Sequence, residues 1–69
     1  MKDKLFEELI TRFEQQYGCG LVNHSKSGNF LTITVRDYCN DRKTEFIFKY
    51  IKDEDRLKLQ THFTTSGSY

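Results

Sequence analysis

The chain has no proline and no tryptophan, and only two cysteines and four glycines among its 69 residues. Without proline, no candidate strand is confined to a sheet edge by a missing backbone donor. Apolar runs are too short for a membrane span or for the core of a signal peptide. We therefore expect a cytoplasmic protein without a membrane partner, in which Cys19 and Cys39 are free thiols.

Neither charge sign dominates the composition. Charged residues make up 30% of the chain and the formal net charge is +1, which argues neither for nor against a nucleic-acid partner. The length allows a single domain, and a core of this size typically supplies a margin of roughly 3–5 kcal/mol. Such a margin leaves little stability for strained catalytic geometry, so an enzyme is not expected.

The hydrophobic period changes once, at Gly18. Apolar residues before Gly18 recur at helical spacing, and those after it alternate at the spacing of a strand. We predict a helix over residues 3–17, with Asp3 as N-cap and Gly18 as the terminating residue. The helical set is Leu5, Phe6, Leu9, Ile10, Phe13 and Tyr17; the alternating sets are Leu31-Ile33-Val35, Phe46-Phe48-Tyr50 and Leu57-Leu59-Thr61-Phe63.

These periods predict an α+β fold in which an N-terminal helix packs on one face of a four-stranded antiparallel meander, in the order α-β-β-β-β. The domain is expected to span residues 1–64, with a flexible C-terminal tail at 65–69. An alternative order, α-β-β-β-α, arises because the acidic residues Asp53-Glu54-Asp55 suit the first turn of a helix. The first strand leaves a second choice open, since either Leu21 or Val22 can face the core.

The second hairpin can be predicted in detail because opposed residues in an antiparallel pair share a face. The inward residues are odd-numbered in one strand and even-numbered in the other, so the loop between them must contain an even number of residues. A two-residue turn at Asn40-Asp41 meets this requirement. That register opposes Arg36 and Glu45 on the face away from the helix, and it places Phe13, Ile33 and Phe48 at the centre of the core. The inward pairs are Leu31 with Tyr50, Ile33 with Phe48 and Val35 with Phe46.

One helix covers one face of such a sheet, so the other face is the candidate working surface. It combines cations with aromatic and branched apolar side chains, which suits a protein interface and also stacking on unpaired bases. We predict a small non-enzymatic binding or regulatory protein that presents this face to a macromolecule, and a protein partner is favoured over a nucleic acid. The alternative is a single-stranded nucleic-acid-binding module, and a weak homodimer is a further possibility. The candidate binding residues are Phe30, Arg36, Tyr38, Ile47, Lys49, Ile51, Lys58 and His62.

No cofactor, metal or catalytic motif accompanies this surface. Cys19, His24, Cys39 and His62 are the residue types of a zinc site, but no pair has the close spacing that such sites use. A Cys–His nucleophile would also need an oxyanion donor and a pocket. We therefore expect neither a metal site nor catalysis.

In size and layout, the chain is similar to very small phage-encoded inhibitors of host machinery, including anti-CRISPR proteins. That resemblance implies an inhibitor of a host or cellular factor, although such inhibitors are often strongly acidic and this chain is not. With a final helix, the element order would instead resemble a double-stranded RNA-binding domain. Asp53, Glu54 and Asp55 would then stand where that family places phosphate-binding cations.

Overall fold

The computed structural model describes residues 2–66 and confirms the order α-β-β-β-β. All four strands belong to one antiparallel sheet in the order β1-β2-β3-β4. A short 3₁₀ turn, Cys19–Leu21, joins the helix to the first strand. The elements are α1 (Lys2–Tyr17), β1 (Val22–Ser27), β2 (Phe30–Asp37), β3 (Arg42–Ile51) and β4 (Arg56–Ser66).

The last segment is a strand, so the alternative with a final helix is wrong. β4 continues through Ser66, and Thr65 and Ser66 pair with β3 although we expected them in a flexible tail. The rest of that expected tail, residues 67–69, lies outside the described residues. The alternation of apolar and polar residues and the threonine content favour a strand more strongly than the acidic residues favour a helix. Asp55 lies instead in the β3–β4 loop, where it adopts the left-handed conformation with a φ of 50°.

The first hairpin settles which residue of β1 faces the core. Gly28 and Asn29 form a two-residue turn, in which Gly28 has a φ of 58°. Because Ser27 pairs directly with Phe30, Val22 lies opposite Val35 and both side chains are buried. Lys26, on the same face, donates to Glu7 of α1 at 2.7 Å, and this hydrogen bond lowers the pKa of the Glu7 carboxyl.

The β2–β3 register is shifted by two residues relative to the prediction, so that every predicted pair changes. The loop holds four residues, 38–41, so Leu31 lies opposite Phe48 and Arg36 lies opposite Lys43 instead of Glu45. Asp37 stabilises this longer loop by accepting hydrogen bonds from the backbone and side-chain nitrogens of Asn40, at 3.3 and 2.7 Å. Both loop lengths are even, so every residue of β2 and β3 keeps its predicted face while its partner changes.

Asp41 holds a left-handed backbone conformation in this loop, with a φ of 52°. Glycine adopts that region without steric cost, so we expect Asp41→Gly to stabilise the protein by about 0.5–1 kcal/mol. Thermal denaturation should show a melting temperature raised by several degrees. The control Asn40→Gly removes the side-chain bond to Asp37 and should lower it; a lower melting temperature for Asp41→Gly as well would contradict this explanation.

The β3–β4 pairing contains a β-bulge at Gln60. Ile47 lies opposite Thr61 and the next residue, Phe48, lies opposite Leu59, which leaves Gln60 as an extra residue in β4. The alternation of side chains therefore shifts by one beyond this point. Leu57 and Leu59 face the helix, but Thr61 and Phe63 lie on the opposite face, so the predicted common face for these residues is wrong beyond Gln60.

The core lies between α1 and the first two strands. Its buried members are Phe6, Ile10, Val22, Leu31, Ile33 and Val35. Ile33 is fully buried as predicted, whereas Phe13 and Phe48 are only partly buried and pack against this cluster. A helix about 10 Å wide cannot cover four strands spaced about 4.8 Å apart, so burial decreases towards β4, where Leu59 is 43% exposed.

Candidate binding face

The face of the sheet away from α1 is named here the open face, and strand alternation defines its members. It has no second layer among residues 2–66, because the only α-helix covers the other side. Its residues, strand by strand, are Asn23, Ser25, Ser27, Phe30, Thr32, Thr34, Arg36, Lys43, Glu45, Ile47, Lys49, Ile51, Arg56, Lys58, Thr61, Phe63 and Thr65.

The charges on the open face are predominantly positive, and they are arranged unfavourably. Arg36 lies directly opposite Lys43, and Lys49 lies directly opposite Lys58. Like charges in directly opposed positions destabilise a sheet. The remaining cation, Arg56, has a salt bridge of 2.7 Å with Glu54. In the described part of the chain, no salt bridge involves any of the four residues of the two like-charged pairs.

Arg36 carries a second unfavourable feature. The side chain is half-buried, and its Nε is shielded from solvent without a hydrogen-bond partner among the described residues. A shielded donor on a charged group costs free energy when it is left unpaired. Because this atom is shielded from solvent, an acceptor from outside the chain could reach it only after the Arg36 side chain rearranges.

Two phenylalanines on the open face remain accessible to solvent. Phe30 is 43% exposed and Phe63 is 46% exposed, and they lie two strands apart. The Lys49 ammonium lies 5.9 Å from the centroid of the Phe30 ring, a cation–π arrangement that fixes a positive charge beside an aromatic surface. Phe63 lies opposite Glu45, the single carboxylate of the open face. Apolar and charged contacts are therefore available side by side.

Most of the predicted binding residues lie together on the open face. They are Phe30, Arg36, Ile47, Lys49, Ile51 and Lys58. Tyr38 lies instead in the β2–β3 loop and is 57% exposed.

The predicted face of His62 is wrong. The Gln60 bulge turns this side chain towards the helix-covered face, where its ring stacks on Phe46 at 6.1 Å between centroids. The same bulge brings Phe63 onto the open face, and no sequence signal marked that shift. Lys43, also absent from the predicted set, could have been found from its odd position in β3.

The residue types of a metal or thiol site are dispersed in the described structure. Among the side chains that the structure describes, no three His, Cys, Asp or Glu residues form a group that could hold a metal ion. Cys39 is an exposed free thiol, and the expectation for the Cys19 thiol lies outside the described side chains. The helix found in this part of the chain is not long and apolar enough to cross a membrane.

A groove of about 240 Å³ lies between α1 and the start of β4, and it is smaller than most ligand pockets. Its lining residues are Leu5, Glu8, Leu9, Arg12, Arg56 and Leu57.

Comparisons of this chain with protein-family models, curated proteins and solved structures find no match. Among the described surfaces, the open face is therefore the strongest candidate for a functional site.

Proposed function

We propose that this chain is a small binding protein whose open face contacts an acidic surface of another protein. The observation that carries the proposal is the placement of like charges at directly opposed positions in two cross-strand pairs, Arg36 with Lys43 and Lys49 with Lys58. Occupying the partner's surface would make the domain a regulator or inhibitor of that partner.

Directly opposed like charges destabilise a sheet, and favourable cross-strand pairs of the same kind contribute roughly 0.2–1 kcal/mol, against a margin of roughly 3–5 kcal/mol for so small a domain. Local features that reduce stability are concentrated at functional sites in natural proteins. Carboxylates of a partner placed between the paired cations would convert both repulsions into attractions.

The composition of the open face favours a protein over a nucleic acid. Glu45 stands between the two like-charged pairs, where it would interrupt a track of phosphate groups. Exposed phenylalanine beside Ile47 and arginine matches the anchors of protein interfaces. The overall charge of +1 also gives little long-range attraction for a polyanion.

A second candidate, single-stranded nucleic acid, is favoured by one observation. Phe30 and Phe63 are both exposed on the open face, and unpaired bases stack on such rings. Binding to a dT oligonucleotide, measured by fluorescence anisotropy from low to moderate salt, separates the two candidates. Tight binding with a steep loss of affinity, about one power of salt concentration per phosphate contact, would replace the protein proposal by this one.

The sharpest test is Lys58→Glu, which should change stability and binding in opposite directions. The carboxylate that it introduces would face Lys49 as a complementary pair, so we expect the melting temperature to rise by a few degrees. The same change should weaken the complex with the acidic partner more than tenfold, about 1.4 kcal/mol. The partner is isolated from a lysate of the native host on immobilised wild-type protein, and its affinity is then measured by calorimetry with purified components.

Lys4→Glu is the matched control, because it makes the same charge change on the exposed side of α1. It should bind the partner like the wild type. Equal binding by Lys58→Glu, or equal losses for the two variants, would show that the open face is not the binding surface.

A further inference from the structure

We infer that the free edge of β4 pairs antiparallel with β4 of a second copy of this chain, which makes a dimer with one continuous eight-stranded sheet. This interaction is independent of the proposed binding of an acidic protein. Its hydrogen bonds use the rim of the sheet, whereas that function uses the open face, and Phe63 belongs to both surfaces.

The β4 edge has backbone groups free for pairing. β4 is the last strand of the sheet and, among residues 2–66, pairs only with β3. The direction of its backbone groups follows from Tyr50, whose N–H donates to the Asn29 carbonyl on the β2 side at 2.7 Å. Even-numbered residues of β3 therefore bond towards β2, and odd-numbered ones, such as Glu45, bond to β4. Since Glu45 is the partner of Phe63, the neighbouring residues His62 and Thr64 direct their N–H and C=O groups outwards.

The amino-acid composition of the β4 edge favours pairing with another strand. From Leu59 to Ser66 the strand has no Lys, Arg, Asp, Glu or Pro, the residues that natural proteins place on edge strands to prevent association. Threonine and phenylalanine raise its preference for a sheet. The opposite edge of the sheet, β1, is less suited to pairing with another chain. It has only six residues and carries Lys26, which forms a salt bridge with Glu7.

A second copy fits this edge because the segment is complementary to itself. A two-fold axis through Phe63 places His62 opposite the partner's Thr64, so that all the outward backbone groups of these residues are paired. Phe63 then lies opposite the partner's Phe63 as a non-hydrogen-bonded pair, the closer of the two kinds of antiparallel pair. No charge opposes a like charge, and the exposed fraction of Phe63, 46%, is available for burial.

The bulge sets the length of the contact. Gln60 interrupts the regular strand on one side, and described pairing with β3 ends at Ser66 on the other. A contact of this length is small for a permanent dimer, so we expect a reversible one. Because opposed residues share a face, the two open faces would lie on the same side of the joined sheet.

Sedimentation equilibrium of the full chain tests the dimer. We expect the weight-average mass to rise from monomer towards dimer over about 10 µM to 1 mM. Phe63→Lys places two like charges on the axis and should weaken the dimer more than tenfold. Asn23→Lys, which adds the same charge to the β1 edge, should leave it unchanged, and circular dichroism checks that both variants fold. A monomer at every concentration, or an equal loss for the two variants, overturns the inference.

Disulfide trapping tests the register in a Cys19→Ser/Cys39→Ser background, at a concentration where the dimer forms. Phe63→Cys should cross-link with itself on mild oxidation. Thr65→Cys should not, because the partner's Thr61 lies opposite it, but it should cross-link to Thr61→Cys when the two variants are mixed. Cross-linking of Thr65→Cys alone, without cross-linking of Phe63→Cys, overturns the proposed axis.

Discussion

Phe6→Ala is expected to remove about 3–5 kcal/mol from the free energy of unfolding, which is most of the margin of a domain this small. Phe6 is 1% exposed and belongs to the core formed by α1 with β1 and β2. Truncation leaves a cavity that the close-packed neighbours Ile10 and Ile33 cannot fill. Urea denaturation followed by circular dichroism should show a transition that is largely lost at 25 °C.

Phe63→Ala is the matched control, because it deletes the same atoms from the open face. The side chain is 46% exposed, so its removal should cost under about 1 kcal/mol. Phe6→Leu keeps most of the buried volume and should fall between the two, which keeps the measurement possible if Phe6→Ala does not fold. Equal transitions for the two alanine variants would show that the faces of the sheet are assigned wrongly.

Gly18→Ala is expected to cost about 1–3 kcal/mol, although a Cβ at this position would meet no atom within 4 Å. The cost comes from the backbone, since Gly18 has a φ of 97° and a ψ of 137°, a region that L-residues rarely adopt. This conformation ends α1 and begins the 3₁₀ turn. Gly18 donates to the Glu14 carbonyl at 2.8 Å, and its own carbonyl accepts from Leu21 at 3.1 Å.

Gly20→Ala separates the effect of the backbone from that of the surroundings. A Cβ at Gly20 also meets no atom within 4 Å, and Gly20 is not among the residues with positive φ. Alanine there reduces the entropy of the unfolded chain and should stabilise the protein by about 0.4–1 kcal/mol. If thermal denaturation shows the same change for both variants, the positive φ of Gly18 is not the source of the cost.

The element order could be predicted because each period is long and uninterrupted. The stripe from Leu5 to Tyr17 fits only a helix, and the alternation of β2 and β3 fits only strands with one buried face. Register was harder to predict, since it depends on the energy of one loop. The Asn40 bonds to Asp37 extend that loop by two residues, and parity cannot distinguish the two lengths because both are even.

The candidate site was predicted where parity alone determines the face, as for Phe30, Lys49 and Lys58. The prediction failed for His62 because a bulge exchanges faces without interrupting the alternation of residue types. Thr61 and Phe63 follow Leu59 in perfect alternation, so nothing in the residue types indicates that the faces change between them. Backbone pairing with β3 is what fixes the position of the extra residue.

The Gln60 bulge has a consequence for how this gene tolerates mutation. Loss of the codon for residue 60 would remove the one residue of β4 that has no partner in β3, and Leu59 and Thr61 would keep Phe48 and Ile47 as their partners. Loss of a neighbouring codon would instead remove a residue that is paired with β3. The remaining residues could then be accommodated only by a shift of the pairing or by loss of the bulge. Within the interior of β4, residue 60 is therefore the one position at which an in-frame deletion leaves the residues of both faces in place.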